Sequence, residues 1–353
     1  MRFADSMQSR ARRLGPGCFA MVMATGIVSI DLDQHRMHAA AIALLAVNLL
    51  AWSALLWLTG LRLVRFRREL LADFANPGRG AGFLTLPAAT CVLGSQCLTV
   101  MHWPALAGAL AAFGALCWVV VLYLWLVATI AARRKPGFSR SINGRWLIAV
   151  VATQGLAVLA TQLAGEGTAA AGAWLFGALC LFLLGGALYL PIITLVAYRI
   201  VFLPLRASEL TPPYWISMGA LAITALAGSQ LVLHASASPS ALHRIMPFLE
   251  ASTLLSWVVA SWWIPLLVLL WAWRHAWCRV PLRYEADSWT IVFPLGMYTV
   301  GTHELARALD LGFLLVVPAI GVYVSLLAWL LAAIGAARHW YQGAPTGGLK
   351  ASG

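Results

Sequence analysis

The chain has 353 residues, 61% hydrophobic and 10% charged, with a mean hydropathy of +0.83; soluble domains run near about 45–50% apolar and about 25% charged. This composition excludes a water-soluble globule, and the long unbroken apolar runs exclude an outer-membrane barrel, whose strands alternate over about 10 residues. A net charge of +12 would suggest nucleic acid in a soluble chain, but here it reports arginine-rich loops on one face of a membrane, so no nucleic-acid partner is expected.

A bilayer-crossing helix takes about 20 apolar residues. Taken in order, the apolar stretches predict spans near 16–32, 39–61, 81–101, 104–132, 146–163, 170–203, 213–234, 245–273, 288–304 and 311–337. The basic, apolar start of the chain has the look of a signal peptide but is read as an uncleaved first span. With ten spans, 21 of the 24 Lys and Arg residues fall on the side of the N-terminus, leaving Arg36, Arg244 and Arg307 opposite. The positive-inside rule then places both termini in the cytoplasm, with the chain in the cell's inner membrane. The expected organisation is a cytoplasmic segment 1–15, a ten-helix transport domain 16–338 and a cytoplasmic tail 339–353. The basic runs Arg65–Arg68 and Arg133–Lys135 set topology and touch anionic membrane lipid. The six cysteines form no CxxC or metal-ligand spacing and read as small buried hydrophobes.

Odd and even spans differ in character. Even spans are long and rich in Leu and Trp, as lipid-facing helices are. Odd spans carry Gly, Ser, Thr and Gln in mid-helix, where polar groups are costly unless they face protein or water. Aligning the odd spans gives Ala24-Thr25-Gly26, Gly94-Ser95-Gln96, Ala160-Thr161-Gln162, Gly228-Ser229-Gln230 and Gly301-Thr302-His303, with the hydroxyl residues 70, 66, 68 and 73 positions apart. A near-constant period of two helices predicts an all-α integral membrane protein: ten transmembrane helices as five repeated helical hairpins around a central pore. The triplets are then candidate pore lining, although small-hydroxyl pairs are also ordinary glue between membrane helices.

Pro87 and Pro294 lie eight residues before the hydroxyls of their triplets and Pro16 lies nine before, so each is expected to kink an inner helix. Pro191, Pro265 and Pro318 are expected to bend the outer wall. Nine residues before the hydroxyls stand Pro16, Leu86, Ala152, Ala220 and Phe293. The one aromatic, Phe293, would obstruct a narrow lumen by dewetting it, or would pack between the ninth and tenth helices.

The segments PGCFAMVMATGIVSI and SWTIVFPLGMYTVGTHELA resemble the tellurite-resistance/dicarboxylate transporter family, which includes the plant slow anion channels, fungal malate permeases and sulfite efflux pumps. The resemblance extends over residues 14 to 338. It implies ten helices in five hairpins about a pore formed by the odd helices, a homotrimer, and closure of the conduit by the phenylalanine of a Phe-Pro motif, here Phe293-Pro294. Small inorganic or carboxylate anions are the expected solutes. The resemblance leaves open a channel or a proton-coupled carrier of C4-dicarboxylate or sulfite, for which His303, beside Glu304, is the titratable candidate. Glu304 reads alternatively as an i,i+3 partner of Arg307, Glu250 as a neighbour-bonded carboxylate reaching toward Arg244, and the outer acids and histidines Asp31, Asp33, His35, His38, His102, His234 and His243 as solvated loop residues. No paired catalytic carboxylates, Ser/His/Asp set, axial His pair or nucleotide loop supports an intramembrane enzyme or haem protein, so no catalysis, cofactor or metal is expected.

Overall fold

The computed structural model describes residues 8, 11–12, 14–133, 135–165, 171–235 and 244–342, with the side chains of 235, 341 and 342 left aside. Arg2, Arg10, Arg13, Arg134, His243, Lys350 and most of the expected C-terminal tail lie outside the described residues. Among the described residues the regular structure is helical. The long helices are α1 Ala20–Gln34, α2 His38–Arg65, α3 Thr85–Met101, α4 Pro104–Ala131, α5 Ile148–Ala164, α6 Ala171–Phe202, α7 Ile216–Ala235, α8 Met246–Ala272, α9 Trp289–Ala308 and α10 Val316–Gln342. A helix satisfies its own backbone, which is what an apolar solvent demands of a crossing segment.

Eight of these helices, some extended by a leading turn, are long and apolar enough to cross a membrane. The other two are α1, with 15 residues, and α9. They carry Asp31 and Gln34, and His303 and Glu304, respectively. Both are enclosed by protein, so the lipid-facing apolar content that marks the others is not required of them.

The helices form two layers. The inner helices close a ring in which α1 packs on α3, α3 on α5, α5 on α7, α7 on α9 and α9 back on α1. Each outer helix, α2, α4, α6, α8 and α10, leans on the inner helix before it and on the next one round the ring. The apolar stretches containing α3, α5 and α7 are 83 to 89% buried, whereas those of the outer helices are only 22 to 28% buried. An outer surface this apolar is stable against lipid, not water. It accounts for a departure from the sequence reading of the cysteines: Cys91 and Cys97 are buried, but Cys180 on α6 is exposed, as is Cys278.

The small residues of the triplets explain how tightly the inner layer packs. A Cβ on Gly301 of α9 would lie 2.9 Å from the Ala222 carbonyl oxygen of α7, and one on Gly94 of α3 would lie 2.7 Å from Leu159 of α5. Helix backbones approach closely where side chains are absent. The prolines are less uniform than expected. Pro294, Pro191 and Pro265 lie inside helices. Pro87 is the third residue of α3, Pro16 precedes α1, and Pro318 is the third residue of α10. These last three sit at or before the first turn, where many amides lack an intrahelical acceptor anyway.

The arginine-rich side is knitted together by ion pairs. Arg62 meets Asp73 at 2.6 Å, Arg79 meets the same carboxylate at 2.9 Å, and Arg199 meets Glu209 at 2.8 Å. Arg145, ahead of α5, pairs with Asp287, ahead of α9. Glu209 also accepts from the Arg206 backbone amide, and that bond together with Arg199 holds its carboxyl below the usual carboxylate range.

Candidate functional site

The five inner helices turn one stripe each toward their common centre, with members at i, i+3 and i+7. These stripes enclose a cavity of about 80 Å³. Its lowest level is Ile27, Val92, Gly155, Ile223 and Met297, and its middle level is Ile30, Ser95, Val158, Leu226 and Val300. The uppermost level, at the C-terminal ends of the helices, is Gln34, Thr99, Gln162, Gln230 and Glu304. Each helix contributes one residue to each level. The wall is therefore almost wholly apolar through two turns and wholly polar in the third.

Below the cavity the same stripes continue and the space closes. A void of about 10 Å³ is bounded by Ala20, Met23, Thr85, Ile148, Val151, Ile216, Thr290 and Phe293, room for about one water. Phe293 is 2% exposed and is among the largest fully packed side chains. One turn above it stands Met297 in the cavity wall. Extending the stripes of α3 and α7 places Ala88 and Gly219 at the level of Phe293, and a Cβ on Gly219 would come 2.7 Å from the Pro294 ring. The small residues opposite leave space for the phenyl ring and for the proline that follows it.

The polar level has defined partners. Glu304 accepts from the Gln34 amide at 3.0 Å and from Arg307 at 3.2 Å, so the i,i+3 pair expected from the sequence is present. His303 Nδ1 lies 3.4 Å from Glu304, and the His303 ring is 6.3 Å from that of His35. Beside them Asp31 is fully buried and accepts from Ser325 at 2.7 Å, with His35 Nδ1 3.4 Å away. The Oε1 atoms of Gln34, Gln162 and Gln230 are buried without a hydrogen-bond partner. These spare atoms are acceptors, so what they offer a solute or water is a place for a donated hydrogen.

The residues singled out from the sequence divide. Ser95, Gln162 and Gln230 line the cavity. Thr25, Gly26, Pro87, Gln96, Thr161, Ser229, Thr302 and His303 are not among its wall residues. Thr25 accepts from the Trp329 indole at 3.0 Å and Thr302 from Trp257 at 2.9 Å. Thr90 and Thr153 take equivalent bonds from Trp52 and Trp118. In each case a tryptophan of an outer helix anchors on the inner helix of the next pair. Thr161 and Ser229 donate to their own helix carbonyls, Ala157 and Ala225. Gln96 accepts from Asn48 of α2, close to where a Cβ on Gly26 would lie. Most of the repeated hydroxyls thus join layers or bond back to their own helix.

Gln34, Thr99 and Glu304 complete the polar level and were not identified by the triplet alignment. In α1 the third triplet position lies eight residues before this level, since Gln34, not Gly26, shares the level of Gln162 and Gln230. The signal was present in the 63 to 74 residue spacing that separates Gln34 from Thr99 by 65, then Gln162, Gln230 and Glu304. It was masked because the five residues are of three types.

Similarity to other proteins extends over most of the chain. Two transporters of Methanocaldococcus jannaschii, both named as uncharacterized, are 24% and 23% identical to this chain over 300 and 306 residues. These alignments cover 82% and 84% of this chain and 82% and 86% of theirs. An uncharacterized membrane protein of Mycobacterium tuberculosis is 40% identical over 152 residues, 43% of this chain and 76% of the relative. The profile of the voltage-dependent anion channel family matches residues 13–337. The chain is a multi-pass membrane protein and belongs to the voltage-dependent anion channel family, whose members move anions across membranes.

Proposed function

We propose that this protein conducts small anions across the inner membrane along the axis of its five inner helices, and that Phe293, backed by Pro294, occludes the path. In this reading all ten helices cross the bilayer as five repeated hairpins, both termini face the cytoplasm and the assembly is a homotrimer. The observation that carries it is the axial cavity with three aligned residues from each inner helix, ending one turn above the buried Phe293 ring. An apolar constriction of this kind holds back hydrated ions until the ring moves. At the outer end the amide N–H groups of Gln162 and Gln230 would donate to the anion, that of Gln34 being held by Glu304, and Arg307 offsets the charge of Glu304 there.

A second reading, a proton-coupled carrier of a C4-dicarboxylate or sulfite, is favoured by that same Glu304, a carboxylate in the wall of an anion path with His303 beside it. Protonation would lift the repulsion between Glu304 and an entering anion. Purified protein in liposomes, challenged with chloride, nitrate, sulfite, malate and succinate with and without a pH gradient, separates the readings. Passive flux of small monovalent anions, indifferent to the gradient, supports the channel. Uphill malate, succinate or sulfite uptake that needs the gradient supports the carrier, and no flux of any anion overturns both.

A further inference from the structure

Three outer helices end in an arginine that is almost completely buried: Arg62 on α2, Arg199 on α6 and Arg274 just beyond α8. A guanidinium withdrawn from water needs a counter-charge. The first two find one in the loop that follows, Asp73 eleven residues after Arg62 and Glu209 ten residues after Arg199. The third does not. The residue eleven places after Arg274 is Glu285, but Glu285 is exposed and accepts from the Ser288 amide ahead of α9. Among the described residues Arg274 has no carboxylate partner; it donates to the Leu210 carbonyl and lies 5.4 Å from the Trp271 ring centre. Its Nε is buried without a hydrogen-bond partner, and so is the Nε2 of the adjacent His275.

Arg274 and His275 both line a cavity of about 890 Å³ that opens between α8 and α10 on the arginine-rich side. Arg283, Arg338 and His339 add to its rim, with Glu285 the one carboxylate among its lining residues. Its inner wall is apolar, formed by Trp271, Ile291, Val292, Ala328, Leu331 and Ala332. Outer helices α8 and α10 stand apart here, so the floor is α9 at the residues just ahead of Phe293.

We propose that this cavity binds an anionic phospholipid of the cytoplasmic leaflet, its phosphate taking the place at Arg274 that Asp73 and Glu209 take at Arg62 and Arg199. The chemistry is matched at both ends: cationic donors for the phosphate at the rim, and an apolar wall between two lipid-facing helices for an acyl chain. The volume is far larger than inorganic phosphate needs, and the apolar wall would be left wet by phosphate alone.

The test is native mass spectrometry of the full-length, delipidated protein in detergent, titrated separately with phosphatidylglycerol, phosphatidylcholine and inorganic phosphate. The expected result is retention of phosphatidylglycerol in preference to phosphatidylcholine, weakened roughly fivefold for each rim arginine removed in Arg283→Gln and Arg338→Gln. Arg67→Gln and Arg68→Gln, on the same side but away from the cavity, should leave binding unchanged. Ala328→Phe, which fills the apolar wall without altering charge, should weaken lipid binding, whereas Glu285→Gln should preserve or strengthen it. Because Arg274→Gln risks misfolding, the rim and wall variants carry the decision. Equal binding of the two lipids, equal losses in the Arg67 and Arg68 variants, or retention of inorganic phosphate with no lipid would overturn the proposal. So would loss of thermal stability in Glu285→Gln with no lipid bound to the parent, which would make Glu285 itself the counter-charge.

Discussion

Phe293 and Glu304 occupy one stripe of α9, three turns apart. In the proposed path both would hinder an anion, the first by size and the second by charge. Phe293→Ala should therefore increase anion flux in liposomes severalfold while leaving the thermal unfolding midpoint of the folded protein measurable, and an unchanged or reduced flux would remove the ring as the obstruction. Glu304→Gln separates the two transport readings, because a neutral amide should raise passive anion entry in a channel but abolish gradient-driven uptake in a carrier. His303→Gln, which leaves the cavity wall intact, should abolish only the gradient-driven component. At this scale the sequence was least transparent. It marked Ser95, Gln162 and Gln230 but gave equal weight to Thr25 and Thr302, whose partners are tryptophans of outer helices. A hydroxyl looks the same in the sequence whether it faces a lumen or a neighbouring indole, and only the rotation of the helix about its axis distinguishes them.

Between elements, contact distance decides what can be substituted. Gly301→Ala would drive a methyl group against the Ala222 carbonyl, part of a backbone that cannot turn aside. It should cost about 1–3 kcal/mol in a detergent unfolding assay. Gly177→Ala on α6 meets nothing within 4 Å and should be neutral or stabilising by up to about 1 kcal/mol through helix propensity. The loop ion pairs make a pH prediction. Glu209 is held below its ordinary pKa by the Arg206 amide and by Arg199, so its contribution to stability is present above the unfolded carboxylate value near about 4.3 and is lost as pH falls through the depressed folded one. Thermal unfolding of the parent should therefore show an acid-side loss below about pH 4 that Glu209→Gln reduces. Glu209 is half exposed, so that contribution is small. Asp73→Asn, which removes the partner of both Arg62 and Arg79, should destabilise more than Glu209→Gln at neutral pH.

For the whole molecule, the ring of inner helices sheltered by five outer ones explains why α1 and α9 tolerate carboxylates that a lipid-facing helix would not. It also sets the orientation to be tested. With the arginine-rich loops inside, a C-terminal green fluorescent protein fusion should be fluorescent and a C-terminal alkaline phosphatase fusion inactive; the reverse pattern would invert the assignment of cytoplasmic and outer ends. The polar level of Gln34, Gln162 and Gln230 would then face outward and the proposed lipid cavity inward.

The sequence by itself determined the membrane class, the positions of the helices, the division into polar and apolar ones and the family, because each follows from hydropathy summed over tens of residues or from local motifs. The two helices outside the eight that are long and apolar enough to cross a membrane, α1 and α9, were still legible as the apolar stretches 16–32 and 288–304, and their motifs, PGCFAMVMATGIVSI and the Phe-Pro segment, carried the family resemblance. Tertiary structure decided which face of each helix meets the axis. Gly26 and Gln34 are eight residues apart, a little over two turns, and nothing in the hydropathy of α1 tells their levels apart; only packing against four neighbours at once fixes the level at which Gln34 stands.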